Sequence, residues 1–215
     1  EDYLLGIVPD VELMTRLGAD GHRMVLTVGR LAASERYKGH DVVLQAMPTL
    51  LEEVPDVTYL VVGDGDDRAR LERFAQELGV QDHVMFVGQA TDAELAACYQ
   101  ACEAFVMPAQ TVLNDHKPKG EGFGLVFLEA MGFGKPVVGP NHGAPTEFIR
   151  NGEHGFLVDP EDPEAVAQAL ARLLASPERA HRMGEAGREW VMCEYSYEGF
   201  RSRLGKLLGD YASDR

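Results

Sequence analysis

The 215-residue sequence holds nothing near the roughly 18 uninterrupted apolar residues of a membrane-spanning helix. Its opening stretch, EDYLLGIVPD, lacks a basic segment followed by a long apolar core, so neither a spanning helix nor a signal peptide is expected. Basic residues are scarce, with 20 Lys and Arg against 35 Asp and Glu, a net charge of −15. That balance excludes nucleic acid and anionic membranes as partners of this segment, since both demand a positive surface. It also means that cations serving any anionic ligand must act locally. Cysteine is sparse too. Cys98, Cys102 and Cys193 fit a reducing, cytoplasmic compartment. Cys98 and Cys102 have helical i, i+4 spacing with no second pair to complete a zinc site, so they read as free buried thiols.

What is present is the composition of a soluble globular domain, 45% hydrophobic and 26% charged. Residues 1–22, broken by Pro9, Gly18 and Gly21, read as a linker or lead-in. A regular alternation follows. Short β-branched runs at 24–28, 57–62, 84–87, 104–107, 136–138 and 156–158 read as strands, most ending in Gly or Pro. Helical periodicity separates them. One helix carries Val43, Ala46, Met47, Leu50, Leu51 and Val54 on a single face, with Pro48 expected to kink it. Thr91 and Glu94 have capping-box spacing, and Asp162 followed by Pro163 opens a helical C-terminal part with breaks near Ser176 and Ser196. The pattern predicts an α/β fold: one Rossmann-like domain over 23–196, a parallel sheet of about six strands with helices on both faces, and a C-terminal helix over 197–215. Ligands of such sheets bind at the carboxyl ends of the strands. That places Gly29, Gly63, Gly88, Pro108 and the 119–124 loop along one rim.

The densest chemistry lies in KGEGFGLVFLEAMGFGKP, residues 119–136. Small residues before an apolar run predict a loop turning into a helix near Phe123, whose first unpaired N–H groups form a phosphate site. Glu129 then lies almost two turns in, roughly 9 Å along the axis, while Glu121 stays in the loop. Glu129 interrupts an otherwise apolar stripe, and a partly buried carboxylate needs hydrogen-bonding partners. Other phosphate motifs fail. Gly63-Asp64-Gly65 starts like a dinucleotide fingerprint, but Arg68 holds the third glycine position; Gly134-Lys135 is followed by Pro136 where a nucleoside-triphosphate loop needs Ser or Thr. No G-x-S-x-G elbow occurs.

The 121–129 pair resembles the Glu, seven residues, Glu signature of family 4 retaining glycosyltransferases, which have the two-domain B-type fold. Gly29-Arg30-Leu31 with Tyr37-Lys38-Gly39 is similar to that family's second element, and Val84-x-Phe86-x-Gly88 to its third. The resemblance covers roughly 23–210. It implies that Arg30 and Lys38 hold a donor diphosphate with the N–H groups near Phe123, Gly124, Leu125 and Val126. It implies further that Glu129 binds the ribose, Glu121 a donor-sugar hydroxyl, and the backbone of Gln89 and Ala90 the nucleobase. Arg30, Lys38 and Glu121 are thereby the candidate catalytic residues. The implied reaction moves a hexose-type sugar from a nucleotide-sugar, with UDP or GDP the foremost carriers, using no metal and no further cofactor. The acceptor would bind an N-terminal domain outside this chain, which would also carry any membrane association. The family's GG-x-x-E element is altered to NHGAPTE, so His142 reads as a surface loop residue. Lys117 and Lys119 stand either beside the diphosphate or on a mobile loop. The stripe Phe200, Leu204, Leu207, Leu208 and Tyr211 packs either on its own sheet or on a partner domain. A nucleotide-sugar epimerase of the same fold and a non-catalytic nucleotide-sugar-binding module remain as alternative functions.

Overall fold

The computed structural model describes Ile7, Glu12, Leu13 and residues 23–114 and 117–213, with the backbone alone at 113, 114, 117–119 and 206–213. Most of the stretch read as a lead-in lies outside the described residues. Leu13, within it, is fully buried in the core.

Six strands, β1 (Arg23–Val28), β2 (Val57–Val62), β3 (Val84–Gly88), β4 (Ala104–Val106), β7 (Val137–Pro140) and β8 (Gly155–Val158), form one sheet in the order β3-β2-β1-β4-β7-β8. Every pairing is parallel, as the short apolar runs separated by helical segments predict. Because successive side chains point to opposite faces, each strand feeds two cores. Val25 packs with α1 (His40–Glu53), α2 (Arg68–Glu77) and α5 (Pro163–Leu174) on one side. Met24 and Leu26 pack with α3 (Asp92–Ala101), α4 (Leu125–Gly132) and Trp190 of α6 (Pro177–Glu194) on the other. The chain winds outward from β1 to β3 and then returns to lay β4 beside β1. The crevice beyond the carboxyl ends of β1 and β4 is therefore the topological switch point, where such sheets take their ligands.

Local signals account for the element ends. Thr91 Oγ1 accepts from the Glu94 N–H at 3.3 Å while Glu94 Oε2 accepts from the Thr91 N–H at 2.8 Å, a complete capping box on α3. Asp162 Oδ1 accepts from the N–H groups of Glu164 and Ala165 at 3.0 and 3.2 Å to start α5. Helix α1 continues through Pro48, with Val43, Leu44, Met47 and Leu50 buried on either side of it. The stretch between Pro108 and Glu121 contributes two further short strands. Its strands β5 (Val112–Asn114) and β6 (Lys117–Lys119) pair antiparallel, Val112 opposite Lys119, a hairpin too short for a periodic signal. Helix α7 (Tyr197–Ser213) closes the chain's described part. Among the described residues no helix is long and apolar enough to cross a membrane.

Candidate functional site

The loop after β1 is seated backbone to backbone on the loop after β2. The Gly29 N–H donates to Val62 O at 2.9 Å, the Leu31 N–H to Asp64 O at 3.0 Å, and the Asp67 N–H to Leu31 O at 2.8 Å. A Cβ on Gly63 would stand 1.9 Å from Gly29 O, so only glycine permits the approach. This is the physical work of Gly63-Asp64-Gly65, the triplet that imitates a dinucleotide loop.

From this seat the chain forms a 3₁₀ turn over Ala33–Lys38 and stops at Gly39, left-handed at φ 82°. A Cβ there would lie 2.2 Å from Pro108 O, and the Gln110 N–H donates to Tyr37 O at 2.6 Å. The β1 loop is thus tied to the end of β4, across the switch point. The turn brings Arg30 and Lys38 onto one acid that the sequence reading did not single out. Glu35 Oε1 pairs with the Arg30 guanidinium, and Oε2 lies 3.4 Å from Lys38 Nζ. The second contact is a charge pairing without hydrogen-bond alignment, which leaves Oε2 without a hydrogen-bond partner. The side chains are 77% exposed for Arg30, 14% for Lys38 and 10% for Glu35. One cation therefore reaches outward and the other is held in the wall. The Tyr37 hydroxyl pKa is raised by burial first and then by Glu35 and Glu121, which sets both carboxylates near it.

Below Lys38 lies His40, also absent from the sequence reading. Its Nδ1 is 3.4 Å from the Tyr59 hydroxyl, which donates to Thr27 Oγ1 at 2.9 Å, and the threonine donates to Val106 O. Since a carbonyl can only accept, the chain of donors fixes the proton on Nδ1 and leaves Nε2 a bare lone pair. A Cβ on Gly29 would be 3.4 Å from Lys38 Nζ and 3.9 Å from His40 Nε2, so both nitrogens line the end of β1. Burial, then the Lys38 charge, holds the His40 pKa down at about 4.

Helix α4 begins at Leu125 with Gly124 as its N-cap and no side-chain cap. The start is two residues later than the sequence suggests, because Gly122 and Gly124 prolong the loop. Glu129 consequently lies about 6 Å along the axis rather than 9 Å. Glu121 is half-buried in the loop. Phe123 and Leu125 are 47% and 62% exposed, and Val126 is half-buried. Phe123 leans on Phe148 and Tyr195, with ring centroids 6.1 and 6.4 Å away. The Glu129 carboxylate, half-buried, accepts a 2.8 Å hydrogen bond from the hydroxyl of fully buried Tyr99 on α3. This meets the requirement that an acid inside an apolar stripe find a partner.

At the far end of the rim, Gln89 is exposed and Ala90 half-buried just after β3. Arg68, the residue that spoils the dinucleotide pattern, reaches this edge: Nη2 donates to Phe86 O at 3.2 Å and Nε pairs with Glu72 at 2.7 Å. His142 is exposed in its loop. The side chains of Lys117 and Lys119 lie outside the described residues. Cys98 and Cys102 are buried thiols whose pKa values burial pushes up to about 12. Among the described residues no group of three or more His, Cys, Asp or Glu is placed to hold a metal.

With this geometry in hand, the comparisons are direct. The sequence model of the family described as Glycosyl transferases group 1 matches residues 13–190. The GDP-mannose-dependent alpha-(1-6)-phosphatidylinositol monomannoside mannosyltransferase of Mycolicibacterium smegmatis is 36% identical over 193 residues, 90% of this chain and 49% of that protein. Sucrose-phosphate synthase from Thermosynechococcus elongatus superposes with a TM-score of 0.78 at 32% identity, covering 99% of this chain and 51% of the other. Anabaena HepE, solved with UDP, superposes with a TM-score of 0.78 at 23% identity, over 93% of this chain and 52% of its own, a likeness of fold. The chain spans about half the length of the relatives it matches. On the strength of the family match over residues 13–190, the chain belongs to the group 1 glycosyl transferases.

Proposed function

We propose that this chain is the donor-binding half of a retaining glycosyltransferase that moves a hexose-type sugar from a nucleotide-sugar to an acceptor. The observation that carries the reading is the convergence of Arg30 and Lys38 on Glu35 at the end of β1, tied across the switch point to the end of β4. In this reading the diphosphate meets those two cations and the first N–H groups of α4, from Phe123 to Val126. Charge grows on the leaving phosphate as the sugar parts from it, so donors placed there act most strongly in the transition state. Glu121 receives a donor-sugar hydroxyl and Glu129 the ribose. The backbone of Gln89 and Ala90 takes the base. The leaving phosphate takes the acceptor's proton, which requires no base from this half and no metal. GDP and UDP are the foremost carriers: one relative is named for GDP-mannose, and one structural neighbour was solved with UDP. The acceptor and any membrane association belong to an N-terminal domain.

Calorimetric titration of the chain with UDP, GDP and ADP, with EDTA or with Mg²⁺, tests the donor site. Weak binding of one of them that persists in EDTA and falls with Arg30→Ala or Lys38→Ala is expected. No heat with any of the three at millimolar concentration, or strict dependence on Mg²⁺, would count against the reading.

A further inference from the structure

We infer that Tyr99 is a positioning residue for the ribose carboxylate: its buried hydroxyl fixes Glu129 so that the acid's remaining acceptor positions are presented to the ribose. The inference rests on the donor-site reading above. Tyr99 sits on α3, opposite α4, and its ring cannot drift. It stacks on Phe133 with centroids 5.2 Å apart and planes 13° from parallel, and it tilts against Phe105 at 6.3 Å. The residue is fully buried. A buried tyrosine hydroxyl needs an acceptor, and here it has Glu129 Oε2 at 2.8 Å with a longer approach to Val126 O at 3.4 Å. Both acceptors belong to α4, so one hydroxyl references the acid to the backbone of its own helix. Among the described residues, Tyr99 is the side chain that bonds the Glu129 carboxylate. Burial, then the Glu129 charge, raises the tyrosine pKa well above its ordinary value. The hydroxyl therefore stays a donor throughout the working pH range. A carboxylate accepts about four hydrogen bonds. One is used from the core side, which stops the side chain from rotating, and the others remain for a vicinal diol.

A glutamate side chain loses rotamer freedom when it binds a ligand, and a fixed donor behind Glu129 offsets part of that cost beforehand. Tyr99 would then act on affinity for the ribose hydroxyls and not on the diphosphate. The test is calorimetric binding of UDP and GDP and of their 2′,3′-dideoxy counterparts to the 215-residue chain. The ratio of ribo to dideoxy affinity is read for each variant. Wild type is expected to prefer the ribo form by about tenfold or more, the scale of hydrogen bonds to a charged group. Tyr99→Phe should reduce that ratio at least about threefold, Glu129→Gln should nearly abolish it, and the double variant should fall no lower than Glu129→Gln. Phe133→Leu, which frees the ring but keeps the hydroxyl, should lower the ratio part of the way and serves if Tyr99→Phe folds poorly. Val166→Ala removes buried volume from α5, in the core on the other face of the sheet from Tyr99, and should cost stability while leaving the ratio unchanged. If wild type does not discriminate at all, the ribose role of Glu129 falls and this inference with it. If wild type discriminates but Tyr99→Phe keeps the full ratio, or Val166→Ala loses as much, Tyr99 alone is overturned and the donor site stands.

Discussion

Glu35 shows how single side chains set the chemistry of this rim. Two cations this close repel each other, and the buried Glu35 carboxylate between them offsets that cost. In the full-length enzyme, Arg30→Ala or Lys38→Ala should lower kcat and kcat/KM together, by about 10²-fold on the scale of a lost transition-state donor. Glu129→Gln should act mainly through donor affinity. Steady-state kinetics in which Arg30→Ala raised only KM would sink the assignment. His40 supports a second expectation. Its pKa falls from 6.5 in the unfolded chain to about 4 in the folded one, so below pH 6.5 the unfolded state binds the extra proton. Stability is full above pH 6.5 and declines towards pH 4, by about 2 kcal/mol at pH 5 from this residue. The buried His154, whose pKa is also lowered, adds in the same direction. Urea unfolding of wild type and His40→Gln at pH 7.5 and pH 5 should therefore show a smaller acid loss in the variant; equal losses would show that His40 is not held neutral. Neither Glu35 nor His40 was legible beforehand. In ASERYKGH each stands among polar or charged neighbours, and their burial follows only from the 3₁₀ turn over Ala33–Lys38 and the start of α1 at His40.

At the scale of elements, the site depends on loops that touch through their backbones. Gly39 offers the cleanest test, since its Cβ would meet Pro108 O at 2.2 Å on top of a left-handed φ of 82°. Gly79, at φ 71° with nothing within 4 Å, carries only the conformational part. Gly79→Ala should cost about 1–2 kcal/mol, and Gly39→Ala clearly more, with loss of nucleoside diphosphate binding because the Lys38 turn is forced off β4. Urea denaturation with parallel calorimetry separates the two; equal costs would mean that the β1 and β4 ends are not in contact. The same comparison explains what the sequence disclosed. Strands, the alternating helices, the capping box at Thr91 and the N-cap at Asp162 all follow from local patterns, and the structure has them. The sheet order β3-β2-β1-β4-β7-β8 is a matter of long-range pairing that no local period encodes. The start of α4 slipped by two residues because glycines on either side of Phe123 allow either loop or helix. Tyr99 went unnoticed for a different reason: its α3 neighbours Ala97, Cys98 and Ala101 make it look like plain core, and its polar end finds its partner 30 residues away.

At the scale of the whole molecule, the carboxyl-end rim of the sheet is fringed with apolar groups that nothing in the described residues covers. Phe123 and Leu125 stand about half exposed or more at the mouth of α4. Tyr195 carries the contact from Phe123 and Phe148 to the start of α7, where Tyr197, Phe200 and Leu204 are 67%, 56% and 42% exposed along one stripe. Phe200 and Leu204 therefore do not bury themselves on their own sheet. Leu207, Leu208 and Tyr211 lie beyond the described side chains. A rim of this kind suits closure by a second body, and the relatives are about twice as long as this chain. Closure would also serve the chemistry. Water competes with any acceptor for an oxocarbenium-like sugar, and an open rim leaves that competition unchecked. The 215-residue chain alone is therefore expected to bind donor, to hydrolyse it very slowly at most, and to transfer no sugar, while the full-length protein transfers. A product assay with radiolabelled GDP- and UDP-sugars and a panel of acceptors, run on both proteins, measures the difference. Transfer by the 215-residue chain would show that the acceptor site lies within it and would overturn the two-body reading. A full-length variant carrying Phe200→Asp and Leu204→Asp reports on the closing surface. Its donor affinity should match wild type, and its ratio of hydrolysis to transfer should rise several-fold as water gains access.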